Sequence, residues 1–293
     1  MPAHDKHHFV PAFLLREWES GSDKKLSSFH WINNKLLHKR YKAKHVAKEL
    51  GLYAMRDEHG GRDNVLEREF FARQIDDAAA VVHRRMIDSG LGALTVEDRV
   101  VWGRFVIAQM LRVPRMMTLL KSRGAEVFRK ELNANPAEYE ELRTDADPAT
   151  LSEWVGAHLS ITTGDNFALA ALPSIVESEL LHDVMRKATW GTINPRRSQH
   201  DLLIADHPLL YIGTMETNFL VILPICPRIA FVALSHDETA RRMSRLPGSV
   251  FVRETNIATA GSADQYVYAT NSDQEQLIAS RLSRPSAACS RTE

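Results

Sequence analysis

The sequence predicts an α+β protein with a His-rich N-terminal lobe, a helical centre and a small C-terminal sheet with flanking helices. Three observations predict it. Short mixed apolar pieces fill the chain to about residue 60, apolar positions at helical spacing run from about 62 to 190, and strand-like runs appear from about 200 onward. The 293 residues, 44% hydrophobic and 25% charged, match an ordinary globular protein with a sizeable core. We read residues 1–282 as a single domain and residues 283–293, SRPSAACSRTE, as a disordered tail.

The N-terminal lobe consists of FVPAFLL, LSSFHWI and LYAM, separated by SGSDKK and NNKLLHKR. SGSDKK is turn chemistry, so a loose hairpin or loop-rich lobe is expected. Seven of the thirteen histidines fall here: His4, His7, His8, His30, His38, His45 and His59.

In the centre, VLEREFFARQIDDAAAVVHRRMI places Leu66, Phe70, Ile75 and Val82 at near-helical spacing, and Ser89-Gly90 stops it. Glu67 and Glu69 lie on this helix with His83 and Arg84. They are read as solvated, with Glu67 the one able to face a site. Thr95 and Asp98 form a capping box for the next helix, an apolar segment from Glu97 to Lys121 that Pro114 should kink. Gln109 and Arg112, three apart, share the face beside the kink. Further helices are expected at about 125–142 and 149–188.

Beyond residue 200, LLIADHPLLYIG reads as strand, turn, strand, and FLVILPI and RIAFVALS as two more strands. Ser235 with Glu238 is a second capping-box candidate for a helix through about 245. Residues 249–260 read as a helix ending at Gly261, YVYAT as a strand, and Asn271 as the cap of a last helix ending near 282.

Charge and motif content narrow the function. Lys plus Arg and Asp plus Glu both number 37, so no global field attracts polyanions and any such site must be local. The stretch 33–48, NNKLLHKRYKAKHVAK, carries six cations, no acid and Tyr41. It is either a nucleic-acid contact or a solvated face balanced by acids elsewhere. Cys226 and Cys289 make no disulfide framework, which fits a reducing, cytoplasmic setting. Signal-peptide and membrane-spanning patterns are absent, so no membrane partner is expected. There is no Walker loop, no Gly-x-Gly-x-x-Gly, no zinc-spaced Cys pairs and no Gly-x-Ser-x-Gly elbow.

The opening HHFVPAFLLREW, the segment FVIAQMLRVP (105–114), LLIADHPLL (202–210) and VRETNIATAGSADQYVYA (252–269) together resemble an uncharacterised, mainly bacterial family, domain of unknown function 4238. The similarity covers nearly the whole chain in order. It implies that His7, His8 and Pro11, then Gln109, Arg112 and Pro114, then Asp206 and Pro208, and finally Asn256 are family landmarks. The third landmark is commonly Ser-Asp-Asn-Pro; Ala205 and His207 depart from it here.

Histidine exchanges protons near neutral pH and is the commonest metal ligand. Adjacent residues of an extended segment point to opposite faces, so one ring of His7-His8 can serve a site while the other joins the core. The segment also resembles the start of the HNH nuclease motif, although Asn33, Asn34 and His45 stand too far downstream for a compact version. Arg112 interrupts an apolar helix and needs a partner, for which Asp206 is a candidate.

Two readings remain open. In the first, the protein is a phosphodiester hydrolase on nucleic acid: His8 is the general base, His7 or Asp206 holds a divalent metal, Arg112 stabilises phosphate charge, and Gln109 and Asn256 orient the substrate. In the second, it is a non-catalytic binding or interaction protein whose His, Arg and Asp residues form a structural polar network. The cofactor and the oligomeric state are left unassigned.

Overall fold

Extended backbone at Lys6–His8 forms β1, and Pro11 then opens α1 (Ala12–Leu15), prolonged by a 3-10 turn over Arg16–Trp18. The computed structural model describes residues 6–56, 59, 61–158, 162–195, 198–214 and 218–284. Trp18 is fully buried, and its indole N–H donates to the Leu202 carbonyl at 2.7 Å, tying the opening of the chain to its C-terminal third. SGSDKK makes a tight loop closed by an antiparallel bridge between Ser20 and Lys25. The hairpin follows it: β2 (Leu26–Ile32) and β3 (Lys35–Tyr41) are joined by Asn33 and Asn34 at φ 48° and 60°. Two successive positive-φ residues give the turn whose twist suits a two-residue hairpin, and asparagine tolerates that conformation. β4 (Lys48–Leu50) returns to pair with β1, setting His8 opposite Lys48. β5 (Met55–Arg56) and β6 (Arg62–Asp63) form a short ribbon.

The first central helix has two pitches. Leu66–Asp76 is a π-helix, and α2 (Asp77–Ser89) continues it as an α-helix, with the Asp77 amide bonded to the Ala72 carbonyl. The buried positions explain the winding: Leu66, Phe70 and Ile75 are separated by four and then five residues. A helix bonded i→i+5 needs roughly 4.4 residues per turn, so it keeps all three on one face.

α3 (Val96–Leu111) begins with the expected capping box, Asp98 N–H to Thr95 Oγ1 at 3.1 Å and Thr95 N–H to Asp98 Oδ2 at 2.9 Å. The single kinked helix predicted over 97–121 is instead two. Pro114 is the first residue of α4 (Pro114–Leu132), and Val113 before it is extended at φ −70°, ψ 148°. Proline disfavours helical backbone in the preceding residue, so the chain stops and restarts rather than bending. α5 (Pro136–Leu142) follows, and the helix predicted over 149–188 is divided into α6 (Leu151–His158), α7 (Thr162–Val176) and α8 (Glu179–Lys187). α4 and α7 approach closely at Gly124, where a Cβ would fall 2.6 Å from that of Ala168.

The remaining elements are β7 (Thr189–Ile193), β8 (Ile204–Ala205), β9 (Leu210–Thr214), β10 (Asn218–Cys226), β11 (Ile229–Leu234), α9 (Asp237–Ser244), α10 (Gly248–Ser262), β12 (Val267–Ala269) and α11 (Glu275–Arg281). One antiparallel sheet runs β7-β11-β10-β9. The other runs β3-β2-β12-β8, so the N-terminal hairpin and the C-terminal strands that the sequence places in separate regions share a sheet. Its register sets Val267 against Phe29 and Ala205, residues that pack with Ala260 and Ile278 of α10 and α11. Ser28 and Tyr268, paired in the same register, point to the other face.

Two expected caps are replaced. The Ser235 hydroxyl accepts from the Phe219 amide at 3.0 Å and does not cap α9, and the Glu238 side chain lies outside the described residues. Asn271 accepts from the Asp273 amide, while Gln274 stands at the start of α11. Of the tail, Arg284 lies 4.8 Å over the Trp31 ring; residues 285–293, like His4, are outside the described residues. Among the described residues, no helix is long and apolar enough to cross a membrane.

Candidate functional site

His7 and His8 point opposite ways, as adjacent strand residues must. His7 is fully buried and stacked on Tyr53, with ring centroids 5.5 Å apart and planes at 9°. Its Nδ1 accepts the Tyr53 amide proton at 2.9 Å, so Nε2 carries the ring proton and donates to Asn64 Oδ1 at 2.9 Å. That tautomer leaves no free lone pair for a cation. The metal role expected for His7 is therefore replaced by a structural one.

His8 is only partly buried, and its backbone N–H donates to Glu67 Oε1 at 3.2 Å. Its Nε2 finds no hydrogen-bond partner among the described residues, and neither do Glu67 Oε2 and Arg112 Nη2. The three groups are neighbours: the Arg112 charge acts on both His8 and Glu67. Burial lowers the His8 pKa, opposed by the Lys44 backbone and assisted by Lys48 and Arg112, so the imidazole stays neutral. Burial pushes the Glu67 carboxyl up to about 7, with Arg112 acting against it.

Arg112 is 0% exposed and is held from three sides. Its Nη1 donates to Asp76 at 2.8 Å and its Nε to Gln109 Oε1 at 2.7 Å, while the guanidinium lies 5.5 Å from the Phe105 ring centroid. The Gln109 amide donates in turn to the Phe9 carbonyl at 2.8 Å, next to His8. The Arg112 carbonyl, freed by the break before Pro114, accepts the Tyr53 hydroxyl at 2.5 Å. Gln109 is thus committed to positioning Arg112 and the strand that carries His8. The π-helix supplies both carboxylates of this neighbourhood, because Glu67 and Asp76, nine residues apart, fall about two of its wide turns apart and share a face.

Asp206 is elsewhere, and its expected pairing with Arg112 is not formed. Its carboxylate accepts the amides of Asp264, Gln265 and Tyr266 at 2.9, 2.6 and 2.8 Å, capping the turn into β12. Burial pushes this carboxyl up to about 6 against those three amides. With His7 sealed and Asp206 in another neighbourhood, the two do not form a joint metal site. Among the described residues, no group of three or more His, Cys, Asp or Glu is placed to hold a metal ion.

Asn256 is also apart and fully bonded. Its Oδ1 accepts the Leu203 amide at 2.9 Å, and its Nδ2 donates to the Asp201 carbonyl at 2.8 Å and to Gln274 Oε1 at 2.7 Å. It fixes the approach to β8 rather than meeting His8.

Beside the His8 neighbourhood lies a cleft of about 710 Å³. Its floor is the face of the β3-β2-β12-β8 sheet turned away from α10 and α11, with Ser28, His30, Tyr41, Tyr266, Tyr268 and Asp206. One wall is the segment from His45 to Glu49, and another is the start of α4 at Pro114, Arg115 and Thr118. His8, Glu67 and Arg112 are not among the residues that line it; Phe9, next to His8 in the chain, and Lys48, opposite His8 in the β1–β4 ladder, are.

Of the expected site residues, the structure brings together His7, His8, Gln109 and Arg112, and sets Asp206 and Asn256 apart. Asp76 and Tyr53 were not anticipated, nor were Ser28, Arg115 and Tyr266 of the cleft, whereas its Tyr41, Lys48 and Asp206 were among the expected residues. The four-then-five apolar spacing was the one local signal that could have placed Glu67 and Asp76 on a common face.

A family model described as a protein of unknown function (DUF4238) matches residues 6–273. No curated protein and no solved structure matches the chain.

Proposed function

The chain belongs to that family of proteins of unknown function, DUF4238, and on this premise, which names no reaction, we propose that it is a phosphodiester hydrolase acting on nucleic acid. The observation that carries the reading is a set of three buried polar atoms without partners among the described residues, His8 Nε2, Glu67 Oε2 and Arg112 Nη2, on residues linked by the His8 N–H to Glu67 bond and by the Arg112 charge, behind a cleft that Phe9 and Lys48 line. A His8 imidazole whose pKa burial lowers and a Glu67 carboxyl raised to about 7 have environments that drive them toward base and acid roles.

In this reading, His8 Nε2 takes a proton from water as the water oxygen attacks phosphorus. The bond to the leaving oxygen breaks, and protonated Glu67 supplies that oxygen with its proton. The Arg112 guanidinium offsets negative charge on the phosphoryl oxygens. Tyr41, with Lys48 from the same basic stretch, contributes to the substrate groove. The protein works as one domain in the cytoplasm, where Cys226 remains a thiol.

The complete bonding of His7, Gln109 and Asn256 favours the second reading, a binding protein in which these residues only fix the fold. A cleavage assay on single- and double-stranded DNA and RNA, with and without divalent ions, decides between them. Hydrolysis by the wild type that is lost in folded His8→Gln and Glu67→Gln supports the enzyme. Folded wild type that cleaves nothing leaves the binding protein.

A further inference from the structure

The cleft beside His8 is lined by both signs of charge. Lys48 and Arg115 lie in it, but so do Glu49, Asp206 and Asp264. A long polyanion would meet three carboxylates for two permanent cations, which disfavours a length of phosphate backbone. A ligand with one anionic end and hydrogen-bond donors at the other fits better.

The floor and walls divide accordingly. Tyr266 is half-buried, lies parallel to Tyr268 at 3° with centroids 6.3 Å apart, and has His30 against it at 5.0 Å. The Tyr266 ring, with His30 tilted 41° to it, gives an aromatic face for a planar ring. Next to it, the Ser28 hydroxyl is unpartnered although the residue is only 1% exposed, and the Asp206 carboxylate reaches the same floor. A buried hydroxyl without a protein partner in the wall of a cleft marks a position for a ligand atom. At the opposite wall, α4 runs for 19 residues from Pro114, so its N-terminus carries a full helix dipole, and Arg115 stands there exposed.

We propose that this cleft is a site for a single nucleotide: its base lies against Tyr266, its donor groups meet Asp206 and Ser28, and its phosphate sits at Arg115 and the N-terminus of α4. The volume of about 710 Å³ is within the range of small-molecule sites. The inference rests on the hydrolase reading and sharpens it, since such an enzyme engages nucleic acid one nucleotide at a time rather than along a strand.

The test is titration calorimetry of the full chain with adenosine, guanosine, cytidine and uridine 5′-monophosphates, the matching nucleosides and inorganic phosphate. At least one nucleotide should bind more tightly than its nucleoside and than phosphate. Arg115→Ala should weaken that nucleotide by about ten-fold or more while leaving the nucleoside unchanged. Ser28→Ala should weaken nucleotide and nucleoside alike. Phosphate binding as tightly as every nucleotide, indifference to Arg115→Ala, or no binding at all overturns the proposal. The two readings fail separately: nucleotide binding without nucleic-acid cleavage removes the hydrolase, and cleavage without nucleotide binding removes this site.

Discussion

Arg112 and Asp76 meet at 2.8 Å inside the core, from positions 36 residues apart, with the arginine side chain wholly shielded from water. A buried guanidinium is tolerable only with its charge answered, so removing one partner costs more than the pair itself contributes. Asp76→Ala should destabilise the fold by about 3–5 kcal/mol in urea unfolding. Asp76→Ala together with Arg112→Met should recover much of that loss. A double variant as unstable as the single one would show that the pair is not the source.

Glu67 links stability to pH in an uncommon direction. Its folded pKa is raised from 4.5 to about 7, chiefly by burial, so the folded chain keeps a proton that the unfolded chain has released. Stability from this group is therefore full below about pH 4.5 and is lost as pH rises to about 7, by on the order of 3 kcal/mol at most. Glu67→Gln should flatten that part of the profile. Parallel wild-type and variant unfolding curves from pH 5 to 8 would contradict the assignment.

His83 acts with the opposite sign. It is buried, its Nε2 donates to the Ile225 carbonyl at 2.6 Å, and burial drives its pKa from 6.5 to about 4. Its contribution is present above pH 6.5 and lost as pH falls toward 4, because the unfolded chain takes up the proton first. The imidazole resonances of His83 should stay those of a neutral ring at pH 5.5. A midpoint near 6.5 in a proton NMR titration would refute this.

The basic stretch should divide by partner rather than by charge. Arg40 is committed to Asp23 through two nitrogens and to the carbonyls of Ser20 and Lys25, whereas Lys48, among the described residues, reaches the Lys44 carbonyl alone and lines the cleft. Arg40→Ala should cost about 1–3 kcal/mol of stability with little change in nucleic-acid affinity. Lys48→Ala should do the reverse, lowering the slope of log affinity against log salt by about 1. Equal salt slopes for wild type and Lys48→Ala would remove Lys48 from the phosphate contacts.

What could be read from the sequence was what neighbours decide. The Thr95–Asp98 box depends on residues three apart, and the alternation of His7 and His8 on strand parity, so both were legible. Parity alone could not say which ring faces inward; Tyr53 and Asn64 decide that from outside the segment. The partner of Arg112 was misassigned for the same reason, since two carboxylates were available and only the folded chain brings Asp76 to it. The shared sheet was equally hidden, because residues 26–41 meet strands more than 160 positions downstream. Pro114 was recognised as an interruption, but a kink and a full stop differ only in whether the previous residue remains helical.

The wide helix between Leu66 and Asp76 turns the number of residues into a constraint of its own. Glu67 and Asp76 look the same way only because nine steps amount to two of its turns; at α-helical pitch they would look in opposite directions. Side chains on its outer surface, such as Arg68 and Arg73, can change freely, yet losing or gaining one residue there would rotate one carboxylate away from Arg112. This stretch should therefore tolerate respelling and resist any change of length.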